Sequence, residues 1–222
     1  MKTHAQLAAE FIGTFFLVFI GCGTIIVSTL VDNPVPLITC SLAFGLTVAI
    51  MIYTLGDISG AHINPAVTVG LALTNRFPVK KIPSYVTMQI LGAVLASVFL
   101  FMIFGNESHL GSTLLLSGVS VHSGFIIEVI ATLFLVFVVI SLTINKDVPK
   151  SVLGFVVGCT VSVDILFAGP LTMASLNPAR SLGPALISGT TAHQWIFIAA
   201  PLTGAVIASL LYRVIRGNHY DR

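Results

Sequence analysis

Two stretches share one grammar: Ser59-Gly60-Ala61-His62-Ile63-Asn64-Pro65-Ala66-Val67 and Met173-Ala174-Ser175-Leu176-Asn177-Pro178-Ala179-Arg180. Each holds asparagine, proline and alanine in a row. Proline at the first helical position loses nothing, because its N–H would be an orphan there, and the asparagine before it is a good N-cap. Each stretch therefore predicts irregular chain running into a helix start. The apolar pieces that follow, near 64–74 and 177–187, are about half the ~20 residues that a helix needs to cross a bilayer.

The rest of the chain supplies the full crossings. Of 222 residues 56% are hydrophobic and 8% charged, against roughly 25% charged in soluble domains. The uncharged runs Phe11 to Val31, Asn33 to Gly56, Ile82 to Asn106 and Ser181 to Tyr212 each reach spanning length. Periodicity and breakers predict six spanning helices near 6–30, 37–56, 82–104, 122–144, 151–168 and 193–215. The apolar start is too long for a signal-peptide core and reads as a retained first helix. Cys22, Cys40 and Cys159 fall inside apolar segments, where cysteine behaves as a small hydrophobe, so no disulfide framework is expected.

Charge gives the sidedness. With the N-terminus inside, the cytoplasmic segments hold Lys2, Arg76, Lys80, Lys81, Lys146, Lys150, Arg213, Arg216 and Arg222, and only Arg180 falls elsewhere. The positive-inside rule then places both termini in the cytoplasm. The net charge of +2 is accounted for by this topology and calls for no nucleic-acid partner.

The halves repeat each other. Glu10, Thr14 and Phe16-Leu17-Val18-Phe19 recur as Glu128, Thr132 and Phe134-Leu135-Val136-Phe137. Gly45, Thr47 and Val48 recur 113 positions later as Gly158, Thr160 and Val161, and the same offset carries Asn64-Pro65-Ala66 onto Asn177-Pro178-Ala179. Gly92 and Ala96 recur as Gly204 and Ala208, small-residue faces that let the third and sixth helices approach their neighbours closely. Three crossings per repeat is an odd number, so the second copy is inverted, with repeats at about 1–110 and 120–222 of a single unit. Broken helices in inverted repeats mark a site near the midplane. Two helix N-termini meeting there put two positive dipole ends at the bilayer centre, which repels cations and protons and lets a neutral molecule pass.

With both Asn-Pro-Ala copies, the trailing Arg180, the paired glutamates and the repeat, the chain resembles the aquaporin, or major intrinsic protein, family over nearly its whole length. The resemblance implies an all-α membrane protein of six transmembrane helices and two re-entrant half-helices. It implies a passive channel in the cell membrane for water, with small uncharged solutes such as glycerol as further passengers. Water and solutes, the lipid bilayer and three further copies in a homotetramer are the partners implied; no enzyme activity, cofactor or metal is.

Residue by residue, the resemblance implies that Asn64 and Asn177 donate to a permeating oxygen. Bare carbonyls of Gly60, Ala61, His62 and Ser175 accept from it, and Glu10 and Glu128 brace the re-entrant loops. Capping uses the asparagine oxygen and leaves the NH2 free, so the two roles are compatible. The outer selectivity filter is Phe44, Ile165, Ala174 and Arg180, with Phe44 as the apolar wall opposite Arg180. Ile165 stands where strict water channels carry histidine, a pattern similar to archaeal and bacterial members of mixed specificity. Phe44, Ala174 and Ser181 differ from the residues of glycerol facilitators at the matching positions. Asp164 is expected to cap or pair near the outer end of its helix, and Asp57 to lie at the inner mouth.

Three other functions set the comparison. A glycerol-type solute facilitator differs in substrate only. A proton-coupled transporter would use Glu10, Glu128 and Asp164, since intramembrane carboxylates are functional by default. An intramembrane hydrolase would use Ser59 and His62, although Gly56-x-x-Ser59 is not the Gly-x-Ser-x-Gly of a nucleophile turn.

Overall fold

The computed structural model describes residues 3–145 and 147–216, so Lys2, Lys146 and Arg222 lie outside the described residues. Six long apolar helices carry the fold. They are α1 (Thr3–Leu30), α2 (Pro36–Ser59), α4 (Ile82–Phe104), α5 (Val121–Ile144), α6 (Lys150–Thr172) and α8 (Ile196–Arg216). The two short ones, α3 (Pro65–Leu73) and α7 (Pro178–Ser188), are the half-helices. At 1.5 Å per residue their 9 and 11 residues add to roughly 30 Å, the thickness of one hydrocarbon core.

The ends differ from the sequence expectation where capping is decided by context. α2 runs on to Ser59, and Gly60 closes it at φ 91. α6 continues through Pro170 to Thr172, four residues past the predicted end; such prolines are tolerated in membrane helices because neighbouring groups re-satisfy the freed backbone. α8 begins at Ile196, after a turn that contains Trp195.

Polarity is inverted relative to a soluble protein. Glu10, Gln89 and Glu128 are fully buried, whereas Phe155 is 61% and Leu46 55% exposed. In lipid, outward apolar side chains cost nothing and close packing has to hold the helices together.

Small residues provide that packing, and they do so twice. α2 and α6 cross antiparallel at Gly45 and Gly158: a Cβ on either would lie 2.5 Å from the other's carbonyl oxygen. One turn to one side of that crossing, Ser41 Oγ donates to the Ser162 carbonyl at 2.8 Å and Ser162 Oγ to the Ser41 carbonyl at 3.0 Å. Gly92 of α4 sits against the Phe11 carbonyl of α1, and Gly204 of α8 against the Val129 carbonyl of α5. These close approaches set the frame that holds the half-helices.

Candidate functional site

The two re-entrant loops hold strained backbone. Gly60, Ala61 and Ile63 have φ of 91, 46 and 45; Met173, Ala174 and Leu176, each 113 positions on, have 63, 48 and 57. A left-handed residue other than glycine costs roughly 1–2 kcal/mol, so something must hold five of them.

The buried glutamates do. Glu10 accepts from the backbone N–H of His62 at 2.9 Å on Oε1 and of Ile63 at 2.7 Å on Oε2. Ser59 Oγ and Gln89 Nε2 donate to it as well, each at 2.7 Å. Glu128 accepts from Ser175 N–H at 2.9 Å and Thr172 Oγ1 at 2.6 Å on Oε1, and from Leu176 N–H at 3.0 Å on Oε2. The matching hydroxyls Ser59 and Thr172 stand 113 positions apart, the same offset as the two asparagines.

With their N–H groups tied back, the loops leave other carbonyls bare. Among the described residues, none donates to the carbonyl oxygens of Gly60, Ala61, His62, Ala174 or Ser175. All five residues line one cavity of about 520 Å³.

Asn64 and Asn177 fasten the half-helices to each other across the middle of that cavity. Each caps its own helix: Asn64 Oδ1 accepts from Ala66 N–H at 2.8 Å, and Asn177 Oδ1 from Ala179 N–H at 3.0 Å. Each amide also crosses over, Asn64 Nδ2 donating to the Leu176 carbonyl at 2.8 Å and Asn177 Nδ2 to the Ile63 carbonyl at 2.9 Å. The expectation of a wholly free NH2 is therefore corrected: one hydrogen of each amide is spent on the opposite loop and one remains. Pro65, Ala66, Pro178 and Ala179 are buried behind the caps.

At one end the cavity is lined by Phe44, Ile165, Ala174 and Arg180, and at the other by Asp57, Asn145 and Lys150. Phe44 and Ile165 also line a second cavity of about 480 Å³, which reaches Cys40, Asp32 and Asn33. Arg180 Cζ stands 5.0 Å from the centre of the Phe44 ring. The Phe44 ring thus presents its face to the guanidinium, within cation–π range.

Arg180 is 2% exposed. Its Nη1 donates to the Gly111 carbonyl at 2.7 Å and its Nη2 to the Met173 carbonyl at 3.4 Å. Gly111 is delivered by a connection that winds left-handed through Ser108, His109 and Leu110 at φ 48, 48 and 55. Nothing in the sequence marked that connection. Ser181 is also buried, 2.6 Å from Ser175 through their hydroxyls.

Two other expectations change. Asp164 lies within α6, buried at 4% exposure, rather than at the helix end, and its Oδ2 has no hydrogen-bond partner among the described residues. Ser59 and His62 do not meet as nucleophile and base, because Ser59 Oγ donates to Glu10 and His62 Nδ1 lies 3.2 Å from Thr68 Oγ1.

Six crossing helices, two half-helices joined at their N-termini and a cavity past both asparagines define a membrane channel of the broken-helix kind. The chain belongs to the major intrinsic protein family, whose model matches residues 1–212. It is 39% identical over 220 residues to Aquaporin NIP1-1 of Arabidopsis thaliana, covering 95% of this chain and 73% of that protein. Nodulin-26 of Glycine max is 38% identical over 212 residues, covering 95% and 78%. The X-ray structure of the aquaglyceroporin from Plasmodium falciparum superposes with a TM-score of 0.89 at 26% identity, covering 99% of both chains. The chain is a multi-pass membrane protein and a channel, not an enzyme.

Proposed function

We propose that the chain conducts water in single file through the larger cavity, with small uncharged solutes as further passengers, and excludes ions and protons. The carrying observation is the pair of cross-bonds, Asn64 Nδ2 to the Leu176 carbonyl and Asn177 Nδ2 to the Ile63 carbonyl. They hold two half-helix N-termini face to face, and each terminus carries about half a positive charge. A cation arriving there loses its hydration and meets repulsion; a water molecule does not.

The remaining N–H of each asparagine donates to the oxygen of a passing molecule, and the bare carbonyls before and after accept its hydrogens. A water held between two donors turns its hydrogens outward on both sides, which breaks the chain along which protons hop. Arg180, Phe44, Ile165 and Ala174 form the outer filter; Arg180 adds a fixed positive charge, since guanidinium stays protonated. Ile165, an aliphatic group, leaves the constriction less polar than a histidine would, which favours passage of glycerol or urea along with water.

In this reading, residues 1–222 are one channel unit of inverted repeats, about 1–110 and 120–222. Asp57 and Lys150 face the cytoplasm with both termini, the membrane is the plasma membrane and the assembly is a homotetramer.

Osmotic shock of proteoliposomes, followed by light scattering, tests the proposal. Water efflux should exceed that of protein-free vesicles with a low activation energy, glycerol or urea should enter more slowly, and an imposed proton gradient should persist. If neither water nor any solute exceeds the empty vesicles, or if solute flux follows the proton gradient, the reading fails.

A further inference from the structure

Arg180 is a buried cation with no carboxylate partner among the described residues, so the groups that hold it decide where its free hydrogens point. Guanidinium has five N–H donors. Nη1 gives one to the Gly111 carbonyl at 2.7 Å and one to Sγ of Cys22 at 3.5 Å; Nη2 gives one to the Met173 carbonyl at 3.4 Å. Nε has no partner among the described residues. Nε and the second Nη2 hydrogen are therefore what the side chain has left to offer.

Cys22 of α1 closes a triangle around this arrangement. Its thiol donates to the same Gly111 carbonyl at 3.8 Å, so the sulfur touches both the guanidinium and the oxygen that fixes it. The fit is tight: a Cβ on Gly111, whose φ is 67, would lie 3.0 Å from Cys22 Cβ and 3.1 Å from its Cα.

The internal repeat provides a comparison within one chain. Glu10 and Glu128 differ by 118, which maps Cys22 onto Ile140; Asn64 and Asn177 differ by 113, which maps Arg180 onto Val67. Ile140 and Val67 share one apolar core cluster. Cysteine packs much as a small hydrophobe does, yet of the two matched positions, Cys22 and Ile140, only the one beside the cation holds sulfur.

We propose that Cys22 is a positioning residue for Arg180: its sulfur accepts from Nη1 and its S–H steadies the Gly111 carbonyl, keeping the guanidinium against the wall. Without the sulfur an Nη1 hydrogen is orphaned in a dry place, and the side chain turns into the lumen to hydrate it, narrowing the constriction. The inference rests on the reading of the larger cavity as the conducting pore.

The test measures water permeability per channel in proteoliposomes for wild type, Cys22→Val and Cys22→Ser, each also combined with Arg180→Val. Cys22→Val, which fills the space but neither donates nor accepts, should lower permeability about threefold or more, the lower end of what an ordinary hydrogen bond contributes, as suits a weak sulfur acceptor. Cys22→Ser, which restores donor and acceptor, should stay within about twofold of wild type. In the Arg180→Val background, Cys22→Val should have no effect, because nothing is left to position. If Cys22→Val does not assemble, the smaller Cys22→Ala takes its place under the same criterion. Wild-type flux in the apolar variant, failure of serine to rescue, or an equal loss in the Arg180→Val background would each overturn the role while leaving the channel intact. A wild type that passes no water overturns the channel reading and the inference together.

Discussion

Replacing Glu128 by glutamine removes no volume and changes one atom, so its effect isolates the carboxylate. Both oxygens are committed to backbone: Oε1 to Ser175 N–H and Oε2 to Leu176 N–H. Whichever way the amide turns, its NH2 faces one of these and leaves a buried N–H orphaned. Such a loss costs about 1–3 kcal/mol, which shifts the balance between held and relaxed loop by about 5- to 150-fold. The relaxed loop is drawn by its own strain, since Met173, Ala174 and Leu176 sit at φ 63, 48 and 57, each worth roughly 1–2 kcal/mol. Alanine orphans both N–H groups, for about 2–6 kcal/mol. In a chain of this size 1 kcal/mol corresponds to about 2–4 °C. Thermal unfolding in detergent should therefore fall by about 2–12 °C for Glu128→Gln and further for Glu128→Ala, with per-channel water permeability falling in the same order. If both variants unfold within about 2 °C of wild type and conduct water equally well, the glutamate does not hold the loop and the reasoning is wrong.

Two other substitutions probe the filter and the frame. Ile165→His should narrow the constriction beside Phe44 and lower glycerol entry relative to water efflux in the same vesicles; an unchanged ratio would remove Ile165 from the filter. Gly158→Ala drives a methyl to within 2.5 Å of the Gly45 carbonyl and 2.9 Å of Ala49 Cβ, so overpacking should cost about 1–3 kcal/mol, read as a lower unfolding temperature. Equal stability would mean that α2 and α6 do not depend on that crossing.

The sequence displayed whatever is local or repeated. Hydropathy marks six crossings because each must satisfy its backbone within itself, and Asn-Pro marks two helix starts because cap and proline act on adjacent residues. What it did not display depends on chain segments meeting at a distance. Asn64 and the Leu176 carbonyl are 112 positions apart, and Cys22 and Arg180 are 158 apart. A thiol in an apolar run reads as core until the cation beside it is seen. Asp164 differs for the converse reason: aspartate is rarely buried without a partner, so its residue type points to a cap or a pair. Its Oδ2 instead lies inside α6 with no partner among the described residues.

The contacts that obey the repeat and those that break it fall in different places, and this locates specificity. The matched pairs Glu10 and Glu128, Asn64 and Asn177, build the middle of the cavity from both sides. Applying the offset of 113 to the four filter residues gives Val157 for Phe44, Ile52 for Ile165, Ala61 for Ala174 and Val67 for Arg180. All eight line the same cavity, so the proposed filter has an inverted counterpart beyond the asparagines. Isoleucine and alanine are common to both sets; only Phe44 and Arg180 have no equal, and they are the two in contact, at 5.0 Å. Two matching rings would offer a neutral molecule the same apolar width at each end. The added aromatic and cation make one end a charged, hydrogen-bonding constriction, with Cys22 in place of Ile140 as the group that holds the cation there. Under the proposed function, choice among neutral molecules is therefore made once, at the Phe44 and Arg180 end, while rejection of charge is shared with the symmetric middle.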